Sequence, residues 1–69
     1  TVRAPMHGKL LALLVAAGEV VSKGHRLAII EAMKMEHALV APHDGVVTEI
    51  AVAVGAQIAE GARIMAIGE

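Results

Sequence analysis

The feature that most constrains this chain is an internal repeat. When the sequence is shifted by 37 positions, residues 4–30 align with residues 41–67 without a gap, and nine of the 27 aligned positions are identical. Three of the identities are glycines, and the six-residue spacing between the second and third of them is kept: the pairs are Gly8/Gly45, Gly18/Gly55 and Gly24/Gly61. Neither half alone could bury an apolar face, so we expect the halves to pack on each other about a pseudo-twofold axis.

Each half contains short apolar segments separated by glycine turns. In the first half these segments predict strands at residues 10–15, 20–21 and 27–30. In the second half, residues 46–54 alternate with a period of two, which is typical of a strand with one better-buried face. The sequence therefore predicts an all-β fold, either a small sandwich or a flattened barrel.

One segment, residues 31–40, lies outside the repeat and reads EAMKMEHALV. Its composition favours a single helical turn, because Glu, Ala, Met, Lys and Leu have high helix propensity. We predict a tight hairpin instead, since a strand at residues 27–30 precedes the segment and the second repeat follows it at once. Lys34 then lies at the junction of the halves, flanked by Met33 and Met35. Such flexible, polarizable methionines either fill gaps in a core or form a surface that another protein binds.

Composition limits the partners that this chain can have. Its 69 residues include no Phe, Tyr or Trp, and six Lys plus Arg stand against seven Asp plus Glu. Single-stranded nucleic acids bind to aromatic side chains beside a basic groove, and duplexes attract a basic surface, so we expect no nucleic-acid partner. The chain also has no cysteine, which excludes disulfides and thiolate metal sites.

A membrane segment is not expected either. The longest apolar run, residues 10–17, has eight residues, far short of the roughly 20 that span a bilayer, and no leader with a charged and then an apolar region precedes it. We therefore expect a soluble protein, either cytoplasmic in a bacterium or in the mitochondrial matrix of a eukaryote. The length predicts a single domain over residues 1–69, and the start at Thr1 suggests a fragment of a larger subunit.

The sequence gives little support for a metal centre or a catalytic nucleophile. Four histidines are many for this length: His7, His25, His37 and His43. A zinc site would need two or three of them together with a carboxylate such as Asp44, and no two have His-x-x-x-His spacing. Ser22 and Asp44 each lie in a glycine turn, where Asp side chains commonly bond the backbone. We expect neither a metal nor a nucleophilic site.

The segment EAMKMEH resembles the biotin-attachment motif Ala-Met-Lys-Met of biotin-dependent carboxylases, and the resemblance covers essentially the whole chain. Ahead of it, APMHGKL is similar to the opening Pro-Met-Pro-Gly segment of that family, although His7 stands where proline is commoner. Behind it, APHDGVV and GAQIAEGARIMAI match the family's segments for the second half. A Met-Lys-Met triplet alone is weak evidence for this family, whereas all of these segments in the same order are specific to it.

The resemblance implies a flattened barrel of two four-stranded antiparallel sheets, with Lys34 at the tip of a hairpin remote from both termini. It implies that a biotin protein ligase joins biotin to Lys34 through biotinyl-adenylate. Met33 and Met35 would then form part of the surface that the ligase recognises. Ala32 would be small enough to allow a tight turn, and Glu36 is a candidate for an electrostatic contact with the ligase.

The resemblance further implies a carrier and not a catalyst. Biotin on Lys34 would accept carboxylate at a biotin carboxylase centre and deliver it to an acyl-CoA at a carboxyltransferase centre, each delivery being intramolecular. The motif is most similar to the carrier end of acyl-CoA carboxylase α-chains, especially those for 3-methylcrotonyl-CoA or propionyl-CoA. Such enzymes are ligases that form carbon–carbon bonds, and pyruvate or urea carboxylases stay open.

Lipoyl carrier domains of 2-oxoacid dehydrogenase complexes are the alternative. They are similar to biotinyl domains and also modify a hairpin lysine. Their usual local pattern is Asp-Lys-Ala, with an acidic residue directly before the lysine. Here Met33 and Met35 take the flanking positions, which favours biotin, whereas Glu31 fits either family.

Overall fold

The computed structural model describes residues 1–68 and folds them into eight β-strands. The strands are β1 (Val2–Arg3), β2 (Gly8–Leu13), β3 (Val20–Val21), β4 (Arg26–Ala32), β5 (Met35–Val40), β6 (Gly45–Ile50), β7 (Gln57–Ile58) and β8 (Arg63–Gly68). The described residues contain no helix, and hence none long and apolar enough to cross a membrane. The all-β prediction is confirmed.

The strands form two four-stranded antiparallel sheets, as the family resemblance implied. Sheet A has the strand order β1-β8-β6-β3, and sheet B has the order β5-β4-β2-β7. Each sheet takes strands from both halves of the repeat, so the halves interleave and neither forms a sheet of its own. The reason is that the chain leaves β2 in sheet B and crosses to β3 in sheet A. At this crossing the Gly18 N–H donates to the Val47 carbonyl oxygen at 2.6 Å.

The 37-residue repeat of the sequence is also a repeat of the structure. Adding 37 to the residue numbers of β2 gives β6, and adding 37 to those of β3 gives β7. Within residues 1–68, fourteen backbone hydrogen bonds outside the strand ladders form seven pairs with the same offset. For example, the bond from Gly18 to Val47 corresponds to one from the Gly55 N–H to the Leu10 carbonyl oxygen, at 2.8 Å. The predicted pseudo-twofold relation is therefore confirmed, and it exchanges the two sheets.

The strand predicted over residues 46–54 is shorter in the structure, because β6 ends at Ile50. A register shift between Val47 and Glu49 marks a β-bulge. Val47, before the bulge, is fully buried, and Val52, after it, also packs against the core. In one regular strand these two residues would lie on opposite faces of the sheet, because they are an odd number of positions apart. The prediction of one alternating strand was wrong, since a bulge adds a residue and turns the following side chains to the other face.

The core is aliphatic and lies between the two sheets. Six of its side chains with 0% exposure form three repeat-related pairs: Leu10 with Val47, Leu27 with Ile64, and Ala28 with Met65. A single core of this size supports a free energy of unfolding of about 3 to 10 kcal/mol for a chain of this length. One badly placed atom between the sheets therefore removes a large share of the stability.

Candidate functional site

Lys34 lies at the tip of the hairpin that joins β4 to β5. The ladder between these strands ends with Ala32 opposite Met35, so only Met33 and Lys34 form the turn. Both have positive φ, 53° for Met33 and 65° for Lys34. Positive φ at both central residues is the requirement of a type I′ turn, whose twist matches that of the paired strands. The predicted tight hairpin is confirmed, and the rival helical turn is not formed.

The hairpin turn is strained, because neither of its central residues is Gly or Asn. The left-handed conformation costs a residue with a side chain about 1–2 kcal/mol, and Asn-Gly is the pair usually found in this kind of turn. The other positive-φ residues in residues 1–68 are all glycines: Gly18, Gly24, Gly55 and Gly61. Strain that the surrounding structure maintains at one place points to a functional role there.

We expect Met33→Asn to stabilise the domain by about 0.5–1 kcal/mol, because Asn adopts positive φ at lower cost than Met. Urea unfolding followed by far-ultraviolet circular dichroism measures the change. The matched control is Met35→Asn, which puts the same side chain on β5, where φ is not positive and Asn is disfavoured. If Met33→Asn unfolds at the same urea concentration as the unchanged protein, or a lower one, the turn is not strained.

The side chains around Lys34 lie outside the core, with one exception. Ala32 is buried, with 6% of its surface exposed, and Met35 opposite it shares the same face of sheet B but is 62% exposed. Met33 is 84% exposed, and Lys34 and Glu36 are exposed as well. The structure therefore excludes core filling by Met33 and Met35, because both side chains form surface beside Lys34.

The other face of sheet B carries a row of exposed polar side chains next to the hairpin. The register sets Glu36 opposite Glu31, Glu31 opposite Lys9, and Lys9 opposite Gln57. Like charges that face each other across strands repel and unlike charges attract, so Lys9 offsets part of the repulsion between the glutamates. This row is not predictable from the sequence, because neighbours across a sheet are set by register and not by separation along the chain.

The corresponding row in sheet A has a different chemistry. Its members in the same register are Val20, Val46 and Gly68, which take the places of Gln57, Lys9 and Glu31. The two halves of the molecule thus share their backbone arrangement but not this surface. Among the described residues, a charged row in this register lies at the hairpin end and not at the corresponding place in sheet A.

The four histidines do not come together. His7, His25 and His43 lie in connections between strands, and His37 lies on β5. Across the described part of the chain, no three His, Asp or Glu side chains are placed to hold a metal ion. His43 Nδ1 donates to the carbonyl oxygen of Asp44 at 2.8 Å. Asp44 Oδ1 accepts a hydrogen bond from the Lys23 N–H at 2.7 Å. Asp44 therefore bonds the backbone, as expected, but the backbone that it bonds belongs to the first half of the repeat and not to its own turn.

The two interleaved sheets present an exposed lysine at the tip of a strained hairpin, the arrangement that the resemblance to covalent carrier domains implied. A family model described as biotin-requiring enzyme matches residues 1–67. The chain belongs to this family. It is a biotin carboxyl carrier domain, and biotin is its covalently bound cofactor.

Three similar proteins illustrate this membership. Over 49 residues the chain is 57% identical to methylmalonyl-CoA decarboxylase subunit gamma of Veillonella parvula, covering 71% of this chain and 38% of that protein. Over 67 residues it is 40% identical to the biotin carboxyl carrier protein of acetyl-CoA carboxylase of Solanum lycopersicum, covering 97% of this chain and 96% of that protein. The Kluyveromyces lactis urea carboxylase structure superimposes with a TM-score of 0.91 at 28% identity, covering 97% of this chain and 6% of that one.

The chain therefore spans less than half of the Veillonella protein and a small part of the urea carboxylase. The similar proteins are named for biotin, for a carboxylase or for a decarboxylase, and none of the three is named for lipoate. The lipoyl alternative is thus not favoured.

Proposed function

We propose that Lys34 carries the biotin, in amide linkage to its side-chain nitrogen. We also propose that the loaded domain moves carboxylate between the biotin carboxylase and carboxyltransferase centres of an acyl-CoA carboxylase. The observation that supports the first part is the hairpin: Lys34 is exposed at the second position of a two-residue turn whose central residues both have positive φ. A side chain at such a tip can enter the active site of another protein without any change in the sheets.

The residues around Lys34 suit attachment by a biotin protein ligase. The neutral amine of Lys34 would attack the carbonyl carbon of biotinyl-adenylate. The new carbon–nitrogen bond forms as the bond from carbon to the phosphate oxygen breaks, AMP leaves, and the amine proton passes to a base of the ligase. Ala32 keeps the base of the turn compact, because its small side chain is buried there.

The neighbours of Lys34 offer the ligase two kinds of contact. Met33 and Met35 present exposed apolar surface on either side of the lysine, and flexible thioether side chains adapt well to a partner. Glu36 stands on the edge strand β5, at the end of the charged row. We propose that the methionines contribute contact area and that Glu36 pairs with a basic group of the ligase.

Bound biotin supplies a ureido nitrogen that can take up and release carboxylate. The contribution of this chain is to hold that group at the tip of a hairpin in the parent enzyme, so that each transfer occurs at high effective concentration. We propose that residues 1–69 are one domain of a larger subunit and that its partners are the carboxylase and carboxyltransferase domains. We further propose 3-methylcrotonyl-CoA or propionyl-CoA as the acyl substrate of the parent enzyme.

A second candidate is the carrier of an acyl-CoA decarboxylase. It is supported by the 57% identity to the subunit of methylmalonyl-CoA decarboxylase. The two candidates differ in the source of the carboxylate and not in the carrier. Labelled bicarbonate with ATP should label the biotinylated domain in the first case. Labelled methylmalonyl-CoA without ATP should label it in the second, in each case with the other subunits of the parent enzyme present.

The experiment that tests the attachment is the intact mass of this chain after incubation with biotin, ATP and a biotin protein ligase, followed by peptide mapping. We expect one biotinyl group, on the peptide that contains Lys34. A parallel incubation with lipoate and a lipoate ligase should leave the mass unchanged. A folded domain that gains lipoate but no biotin would refute the proposal.

A further inference from the structure

The oxidisable side chains of this chain are concentrated at the hairpin. The sequence has four Met and no Cys, Trp or Tyr, so thioethers are its main targets for dilute peroxide. Met33 is 84% exposed and Met35 is 62% exposed, whereas Met65 is fully buried at 0%, and Met6 is half-buried. The two methionines with the largest exposed fractions are therefore the two that flank Lys34.

We propose that Met33 and Met35 are a redox-sensitive modification site. Hydrogen peroxide oxidises them to sulfoxides, and the sulfoxides slow the loading of biotin onto Lys34 while the fold stays intact. This inference rests on the proposed attachment at Lys34 and adds a means of regulating it.

The oxidation step is balanced with peroxide as its only co-reactant. A lone pair of the methionine sulfur attacks one oxygen of hydrogen peroxide. The sulfur–oxygen bond forms as the oxygen–oxygen bond breaks. The proton of the attacked oxygen passes through solvent to the second oxygen, which leaves as water. The sulfur is oxidised by two electrons and the peroxide is reduced by two. Methionine sulfoxide reductases restore the thioether, with one enzyme for each sulfoxide epimer; a dithiol supplies the two electrons and becomes a disulfide, and the sulfoxide oxygen leaves as water.

The fold should tolerate this change, because neither side chain belongs to the core. The cluster of buried residues between the sheets contains Met65 but neither Met33 nor Met35. A sulfoxide at Met65 would place an unpaired polar oxygen among aliphatic side chains, which is costly. A sulfoxide at Met33 or Met35 keeps its oxygen in water. Oxidation of Met33 and Met35 should therefore leave the free energy of unfolding unchanged, because both side chains lie outside the core.

The attachment of biotin to Lys34 should be slowed by the two sulfoxides. A ligase that acts on Lys34 must cover the turn, and Met33 is directly before Lys34 and Met35 directly after it. Covering a sulfoxide removes its oxygen from water, and a polar group buried without a hydrogen-bond partner weakens binding. A contact built for an apolar thioether offers no such partner. We expect the rate of biotin transfer at low domain concentration to fall at least about fivefold when both sulfurs are oxidised.

The test treats the biotin-free domain with dilute hydrogen peroxide, removes the peroxide, and measures three quantities. Peptide mapping should show Met33 and Met35 oxidised before Met6, with Met65 unchanged. The urea midpoint should stay the same. The initial rate of biotin transfer by a ligase should fall at least about fivefold, and treatment with both classes of methionine sulfoxide reductase should restore it.

Two variants separate the hairpin from the other methionines. Met6→Leu should lose loading rate after peroxide by the same factor as the unchanged chain. The double variant Met33→Leu, Met35→Leu, whatever its starting rate, should show no further loss after peroxide. An equal loss in the double variant, or an unchanged rate in a domain oxidised at both positions, overturns this inference. An untreated domain that accepts no biotin refutes the proposed attachment itself, and the inference with it.

Discussion

Lys34→Arg should accept no biotin, while the unchanged chain gains one biotinyl group. The guanidinium group of arginine stays protonated and has no free lone pair on nitrogen, so it cannot attack the carbonyl carbon of biotinyl-adenylate. The fold should be retained, because Lys34 is exposed and lies outside the core. We expect the free energy of unfolding to change by less than about 0.5 kcal/mol. Intact mass after the ligase reaction and urea unfolding measure the two effects.

The matched control is Lys23→Arg. Lys23 lies in the turn between β3 and β4, where its backbone N–H bonds Asp44, and its side chain has no part in the proposed attachment. This variant should gain biotin at the rate of the unchanged chain. Biotin found on Lys9 or Lys23 in the Lys34→Arg variant would show that the ligase does not select the hairpin, and the assignment would then be wrong.

Gly45→Ala should destabilise the domain by about 3 kcal/mol, at the upper end of the usual cost of overpacking. A Cβ atom on Gly45 would overlap the carbonyl oxygen of Gly68 and would lie 2.8 Å from Cγ2 of Ile67. The first of these atoms belongs to the backbone of the adjacent strand β8, which cannot move without breaking the ladder of sheet A. Such a loss is a large share of the roughly 3 to 10 kcal/mol available to a domain of this size.

Gly18→Ala is the matched control for this prediction. Gly18 has a φ of +91°, and apart from its two chain neighbours a Cβ atom there would meet no atom of residues 1–68 within 4 Å. Its replacement should cost about 1–2 kcal/mol, for conformation alone. Urea unfolding should therefore rank Gly45→Ala well below Gly18→Ala in stability. Equal losses would mean that conformational freedom, and not close approach between strands, is what Gly45 provides.

The hairpin shows how far the site could be predicted from the sequence. The motif EAMKMEH and its position between two repeats were sufficient to place Lys34 on a tight turn, because a two-residue connection is a local feature. The register of β4 and β5 then determines which neighbours share a face, and this set Met35 beside Ala32 and Glu36 opposite Glu31. Lys9 lies opposite Glu31 although the two residues are 22 positions apart in the chain, and no motif indicates such a pair.

The bulge shows a second limit of prediction. Alternation of apolar residues assigned residues 46–54 to one strand, but the extra residue between Val47 and Glu49 changes the face of the side chains that follow. The same shift occurs between Leu10 and Ala12 in sheet B. A period of two describes a strand only as long as its pairing is regular, and irregular pairing depends on the partner strand.

The sequence by itself determined the all-β class, the pseudo-twofold repeat, the glycine turns and the hairpin that carries Lys34. These features follow from the spacing of residue types within short segments, and from the recurrence of that spacing 37 positions later. Only the tertiary structure decided that the halves interleave, that bulges interrupt β2 and β6, and that, among the described residues, a charged row lies in sheet B but not at the corresponding place in sheet A. These features depend on hydrogen-bond register between strands from different halves, and register becomes defined only when both halves pack around one core.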